Sequence, residues 1–167
     1  MAYLFHNNIK EYINQEKTIL DSLNIEEINT FINLLLETTR KKGIIYICGN
    51  GGSASTASHF MNDFNKGVES FCGNSFRFMC LSDNVATITA IANDISYDEI
   101  YSHQLKNRLN ENDIVIGISG SGNSTNIINA INYANLCGNT TISLTGYNGG
   151  VLKNISKYNI HIPIDNM

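Results

Sequence analysis

DIVIGISGSGNS, residues 113–124, reads as a buried strand that runs directly into a loop of serine and glycine. Ile114, Val115, Ile116 and Ile118 are apolar at successive positions rather than alternate ones, the mark of a strand covered on both faces, as in a parallel sheet. The sequence after Ser124, TNIINAI, is compatible with a helix. Upstream, IIYIC at 44–48 is followed by Gly49-Asn50-Gly51-Gly52-Ser53-Ala54-Ser55 and then by another helix-compatible stretch. Three further runs have strand character: FRFMCL at 76–81, TTISLT at 140–145 and NIHIPI at 159–164. Strands separated by helices require parallel crossovers, so the expectation is an α/β fold: a doubly wound three-layer α/β/α sandwich on a five-stranded parallel sheet.

Two helices precede this core. Phe5, Ile9, Ile13, Leu20 and Leu23 fall near one face of the first, and Ile25, Ile28, Ile32 and Leu35 repeat the pattern in the second. Asn24 with Glu27 three residues on resembles a capping box, which starts the second helix there, and Gly43 marks its end. The chain therefore divides into a helical segment at 1–42 and an α/β core at 43–167, in one domain. With 43% apolar residues and a single Pro in 167, it has the makings of a substantial core. A net charge of −4 without a Lys/Arg run excludes a phosphate-tracking nucleic-acid surface. The N-terminus MAYLFHNNIKEYINQEK puts charges where a signal peptide needs an apolar core, and no apolar stretch approaches the ~20 residues of a membrane span. The expectation is a cytoplasmic protein with no membrane partner. Cys48, Cys72, Cys80 and Cys137 lack CxxC spacing and read as reduced packing residues.

The chemistry lies in the two loops. Ligands of open α/β sheets sit beyond the carboxyl ends of the strands, where helix N-termini face an anion. Glycines allow close backbone approach and hydroxyls supply donors, so 49–55 and 119–124 together could wrap a phosphate. The alternative for either loop alone is a tight strand-to-helix turn with Ser or Asn as N-cap. Gly49-x-Gly51-x-x-Ala54 formally satisfies a dinucleotide fingerprint, but that scheme expects an acidic residue about 20 residues on, and Asp83 lies farther along. No GxxxxGK[ST] motif is present. His59 and Asp63, four apart on one helix face, could share a metal or hydrogen-bond each other; two ligands alone fall short of the three or four that zinc takes.

CGNGGSASTASHF at 48–60, AIANDISYDEIY at 90–101 and ISGSGNSTNIINAI at 118–131 resemble the sugar isomerase (SIS) family, with the greatest similarity to the phosphoheptose isomerases. The resemblance spans most of the chain. It implies a flavodoxin-like SIS sandwich that interconverts sedoheptulose 7-phosphate and glycero-manno-heptose 7-phosphate without an organic cofactor. By this resemblance Ser119, Gly120, Ser121 and Ser124 bind the phosphate, while Asn50, Gly51, Gly52, Ser53, Asn93 and Asp94 contact the sugar. His59 and Asp63 would bind zinc, and Asp63 would move the proton. The resemblance also implies a homotetramer with sites shared between subunits.

Three departures qualify the likeness. Family members usually carry Glu where Asp63 stands, and an Arg where this chain has Gly67 beside Lys66. The family continues past the last strand into a helix that contributes a Gln and a His, so with Met167 following the last strand that helix is expected to be absent. The alternative reading is a noncatalytic SIS protein that binds or senses a sugar phosphate. A nucleotide-binding subunit is a third reading, marked by affinity for NADH or ATP.

Overall fold

The computed structural model describes residues 4–68, 73 and 75–165. Two helices lead, α1 (His6–Asp21) and α2 (Ile25–Arg40), followed by β1 (Ile45–Gly49) and α3 (Gly52–Asn62), which runs on into a π-helical segment, Asp63–Val68. Then come β2 (Phe78–Cys80), α4 (Val85–Asp94), a 3-10 turn at Tyr97–Glu99 and the short α5 (Ser102–Leu105). The chain finishes with β3 (Ile114–Ser119), α6 (Thr125–Leu136), β4 (Thr140–Thr145), α7 (Gly150–Ile155) and β5 (Tyr158–His161). The strands form one sheet in the order β2-β1-β3-β4-β5, every pair parallel.

Alternation along the two central strands builds the two core layers. Ile45 and Ile47 of β1, with Ile114, Ile116 and Ile118 of β3, pack with Phe31 and Leu35 of α2 and Ala57 of α3. Tyr46, Cys48 and Val115 face the opposite way, onto Ile91, Tyr101, Leu105, Ile127, Ile131 and Leu152. Helices therefore cover both faces, which explains why these strands carry almost no polar residue. Gly117 serves this packing: a Cβ there would lie 2.7 Å from Ile127 Cγ2, so its absence lets α6 press on β3.

Capping fixes the start of α2 where the sequence put it. Asn24 Oδ1 accepts from the N–H groups of Glu26 (3.1 Å) and Glu27 (3.3 Å), and the Asn24 amide donates to Glu27 Oε1 at 3.1 Å. The return arm of the box thus goes to the side-chain amide rather than the backbone. The helix ends at Arg40, and the chain turns through Lys42, at φ 58°, so that Gly43 N–H reaches Thr38 O at 2.9 Å.

Two strands differ from the sequence expectation. FRFMCL contracts to Phe78–Cys80, because Phe76 joins an aromatic cluster with Phe64 and Phe78 rather than extending the ladder. NIHIPI shifts to Tyr158–His161, ahead of Pro163, which has no N–H to give a ladder. Cys48 and Cys80 are buried free thiols, and burial raises the pKa of both, that of Cys80 to about 11; Cys137 is free and exposed. Cys72 lies outside the described residues. Among the described residues no helix is long and apolar enough to cross a membrane.

Candidate active site

The order of the strands creates the site. From β1 the chain passes to α3 on one face of the sheet and pairs next at the β2 edge; from β3 it passes to α6 on the other face and on to β4. The loops that leave β1 and β3 therefore diverge, and a crevice opens between them at the carboxyl ends of adjacent strands, the switch point of this topology.

The first wall is held from behind. Gly49 N–H donates to Ser82 Oγ at 3.2 Å, and that hydroxyl donates back to Gly49 O at 3.0 Å. The buried Tyr101 hydroxyl makes a short bond to the same carbonyl. Burial pushes the Tyr101 phenol up to about 12, so it stays protonated and able to donate. Gly51, at φ 54°, then turns the chain into α3.

The second wall is built by serines. Ser119, 4% exposed, holds its Oγ 3.2 Å from Ser124 Oγ and accepts from Gly122 N–H at 3.2 Å. Ser121 Oγ accepts from Asn123 N–H at 3.2 Å. Gly120 O accepts from Gly146 N–H at 2.8 Å, and Gly122 O from Leu152 N–H at 3.0 Å, which ties this loop to the one after β4. Ser124 occupies the N-cap position of α6, yet its side chain makes no capping bond. Gly51 provides none for α3 either, whereas α2 and α4 are capped by Asn24 and Asn84. Ser124 Oγ instead meets Ser119 Oγ, and the first-turn N–H groups of Ser53, Ala54 and Ile127 are taken by Asn50 O, Gly51 O and Ser124 O, so the serines present hydroxyls to the crevice rather than acting as N-caps.

A cavity of about 540 Å³ results. Asn50, Gly52, Ser53 and Thr56 line one side, Ile118, Ser119, Gly120, Ser121 and Ser124 the other, and Tyr147 closes it from the loop after β4. Among the described residues no Lys or Arg lines it, so an anion there meets N–H and O–H donors rather than a countercharge.

The sequence candidates fall into three places. Seven of the substrate positions (Asn50, Gly52, Ser53, Ser119, Gly120, Ser121 and Ser124) line this cavity, with Gly51 next to them in the turn. Asn93 and Asp94 stand exposed at the end of α4, where the Asn93 amide donates to Asp94 Oδ1 at 2.8 Å, and neither lines the cavity. His59 and Asp63 form an exposed pair, Nε2 to Oδ2 at 3.0 Å, and His59 lines a separate open hollow with Ser55, Ser58 and Asp83. The π segment sets the direction of Asp63. Phe64 packs on Phe78 with ring centroids 4.7 Å apart, and the Asn65 amide brackets the β2 edge, donating to Phe78 O (3.0 Å) and accepting from Phe78 N–H (2.8 Å). With its neighbours held inward, Asp63 faces out. A zinc ion takes three or four protein donors. The pair supplies two, and among the described residues no group of three His, Cys, Asp or Glu is placed to hold a metal.

Residues that sequence reasoning missed are those brought in from afar. Tyr147 closes the pocket at φ 46°, and Thr56 follows Ser53 by one turn. Ser82, Tyr101 and Asn126 sit behind the first loop; Tyr101 and Asn126 lie within stretches that the sequence singled out, but none of the three carried a spacing signal.

This crevice, in this sheet order, is that of an SIS domain, and the SIS domain model matches residues 11–146; the chain belongs to that family. Its relatives within the family include phosphoheptose isomerases. The phosphoheptose isomerase of Helicobacter pylori (strain P12) is 37% identical over 158 residues, which cover 93% of this chain and 82% of the relative. A phosphoheptose isomerase structure from Francisella tularensis superposes with a TM-score of 0.88 at 27% identity, covering 99% of this chain and 89% of that one. One from Neisseria gonorrhoeae gives 0.85 at 29% identity, covering 96% and 85%.

Proposed function

We propose that this protein is a sugar-phosphate aldose–ketose isomerase that converts sedoheptulose 7-phosphate into glycero-manno-heptose 7-phosphate. The observation that carries the reading is a neutral anion cradle at one end of α3 and a carboxylate farther along the same helix. Thr56, in the cradle wall, and Asp63 are seven residues apart, which brings them to nearly the same face about 10.5 Å apart along the axis. An extended chain advances roughly 1.2 Å per bond, so the ~8 bonds from phosphorus to C1 of a heptose 7-phosphate cover about 10 Å. A triose phosphate held in the same cradle would fall short of Asp63.

The chemistry follows from that span. Loop 119–124 anchors the phosphate, and its binding energy orients the distant reacting carbons. Asp63 takes a proton from C1 of the ketose, and the electron pair forms the C1–C2 double bond of an enediolate. Once the hydroxyl proton has passed from O1 to O2, return of a proton to C2 leaves the carbonyl at C1. The His59 ring, 3.0 Å from Asp63, steadies the carboxylate.

Incubation with sedoheptulose 7-phosphate, with and without zinc, tests the reading: the aldose is expected, and tight binding without turnover would make the protein a sugar-phosphate binder instead. Replacing Ser121 and Ser124 by Ala should weaken sugar-phosphate binding by about 10-fold for each hydroxyl lost, the worth of a hydrogen bond to a charged group. Unchanged affinity in both variants would reject the anchor.

We further propose that the chain assembles as a homotetramer in the cytoplasm. The association rests on α1, which buries none of its residues and leaves Ile9, Tyr12, Ile13 and Leu20 exposed, with Phe5 exposed at its N-cap. That much apolar surface on one helix favours association. Sedimentation at micromolar concentration should give a single tetrameric species, and a monomer would contradict the proposal.

A further inference from the structure

We propose that Asn126 is a positioning residue that fixes the side chain of Asn50 as a one-way hydrogen-bond donor in the pocket wall, an inference that rests on the isomerase reading above. Asn126 is 2% exposed and does not line the cavity. It nevertheless joins the two loops. Its amide donates to Asn50 Oδ1 at 2.9 Å, and the Asn50 amide donates back to Asn126 Oδ1 at 2.9 Å, across 76 residues of sequence.

A reciprocal pair of amides taken alone is equally satisfied with both groups turned over. The backbone removes that ambiguity. Ile127 N–H donates to Asn126 Oδ1 at 2.9 Å, so turning Asn126 over would set its NH2 against an N–H. With Asn126 fixed, Asn50 must offer its oxygen to Asn126 Nδ2 and its nitrogen to Asn126 Oδ1. The acceptor side of Asn50 is then filled. Besides Asn126, the hydroxyls of Tyr97 (3.3 Å) and Tyr101 (3.2 Å) approach Asn50 Oδ1, and an amide oxygen has two lone pairs. One N–H of the Asn50 amide remains.

Such a group discriminates among substrate oxygens. A sugar hydroxyl both donates and accepts, whereas a phosphate oxygen only accepts. Asn50, at the cradle end of α3 with Ser119, Ser121 and Ser124, is therefore matched to a phosphate oxygen of the bound sugar, and a donor held there in advance needs no reorganisation to meet it. Asn126, two residues beyond Ser124, also locks the sugar-side loop to the helix that starts at the phosphate loop.

The test is a double-mutant cycle of Asn50→Ala and Asn126→Ala, read in kcat and KM for sedoheptulose 7-phosphate and in inhibition by inorganic phosphate. Asn126→Ala should weaken inhibition by phosphate and raise KM by about 10-fold, the worth of one hydrogen bond to a charged group, while kcat stays put. In the Asn50→Ala background the second substitution should then change nothing, because the residue acts through Asn50. Additive losses, or a fall in melting temperature with phosphate inhibition intact, would overturn the proposal. Asn126→Asp, of the same shape but unable to donate to Asn50, gives the same readout should the Ala variant fail to fold. If the wild type binds the sugar phosphate without turning it over, the isomerase reading falls; the cycle is then read in Kd, where additivity still overturns the role of Asn126.

Discussion

Asp63→Asn is expected to cut turnover of sedoheptulose 7-phosphate by 10²- to 10⁴-fold, the usual contribution of a positioned acid–base group, and to leave the sugar phosphate bound. The substitution keeps the size and most of the hydrogen bonding of the side chain and removes only its capacity to take a proton. It should leave the fold alone. The pair it breaks, with His59, is 73% and 55% exposed on its two sides, where ion pairs add little to stability. What aims residue 63 is held elsewhere, in the Phe64 ring against Phe78 and the Asn65 amide against the β2 edge, and the Asn variant leaves both intact. Asp63→Glu, which carries the carboxylate one methylene farther, should stay active. Product assays with each variant, alongside equilibrium binding, separate the two effects, and an Asn variant that turns over at the wild-type rate would remove Asp63 from the reaction.

The architecture was legible wherever one layer of the molecule dictates the sequence. A strand buried on both faces leaves no place for polar residues, so IIYIC and DIVIGIS announce themselves, and β1 and β3 sit where they were expected to within a residue. Edges were less legible. At β2 an aromatic cluster competes with the ladder for the same residues, and periodicity cannot tell a phenylalanine that packs in a strand from one that packs beside it. The stripe of α1 was equally plain in the sequence, but a stripe does not name what covers it, and among the described residues none packs on α1 closely enough to bury any of its side chains.

The site divides along the same line. Serines and glycines that act where they stand could be read from 49–53 and 119–124, since strand, loop and helix start are contiguous. The groups that hold them could not. Ser82 is 33 residues from Gly49 and Asn126 is 76 from Asn50, and each is an ordinary polar residue until the crossovers bring it behind the loop. His59 and Asp63 read as a helical pair and are one, yet spacing gave no sign that His59 lines a different hollow from Ser119, Ser121 and Ser124.

Gly122→Ala should be the most damaging single change outside the reacting groups. Gly122 sits at φ 66°, and a Cβ there would lie 1.9 Å from Gly149 O and 2.5 Å from Gly149 C, backbone atoms that cannot rotate aside. Relief requires the serine loop to part from the turn before α7, which breaks the bond from Leu152 N–H to Gly122 O and shifts Ser119, Ser121 and Ser124 together. Such losses lie at the upper end for point substitutions, about 4 kcal/mol or more, or roughly 8–16 °C in melting temperature for a chain of this size. Phosphate affinity should fall with stability, because a displacement of about 1 Å in the cradle is enough to disable it. Gly51→Ala supplies the control. Its φ of 54° imposes backbone strain of about 1–3 kcal/mol, but the added Cβ meets nothing within 4 Å. Thermal unfolding of the two variants should therefore differ by the cost of the clash, and equal losses would show that strain alone, rather than the contact between the two loops, sets the shape of the cradle.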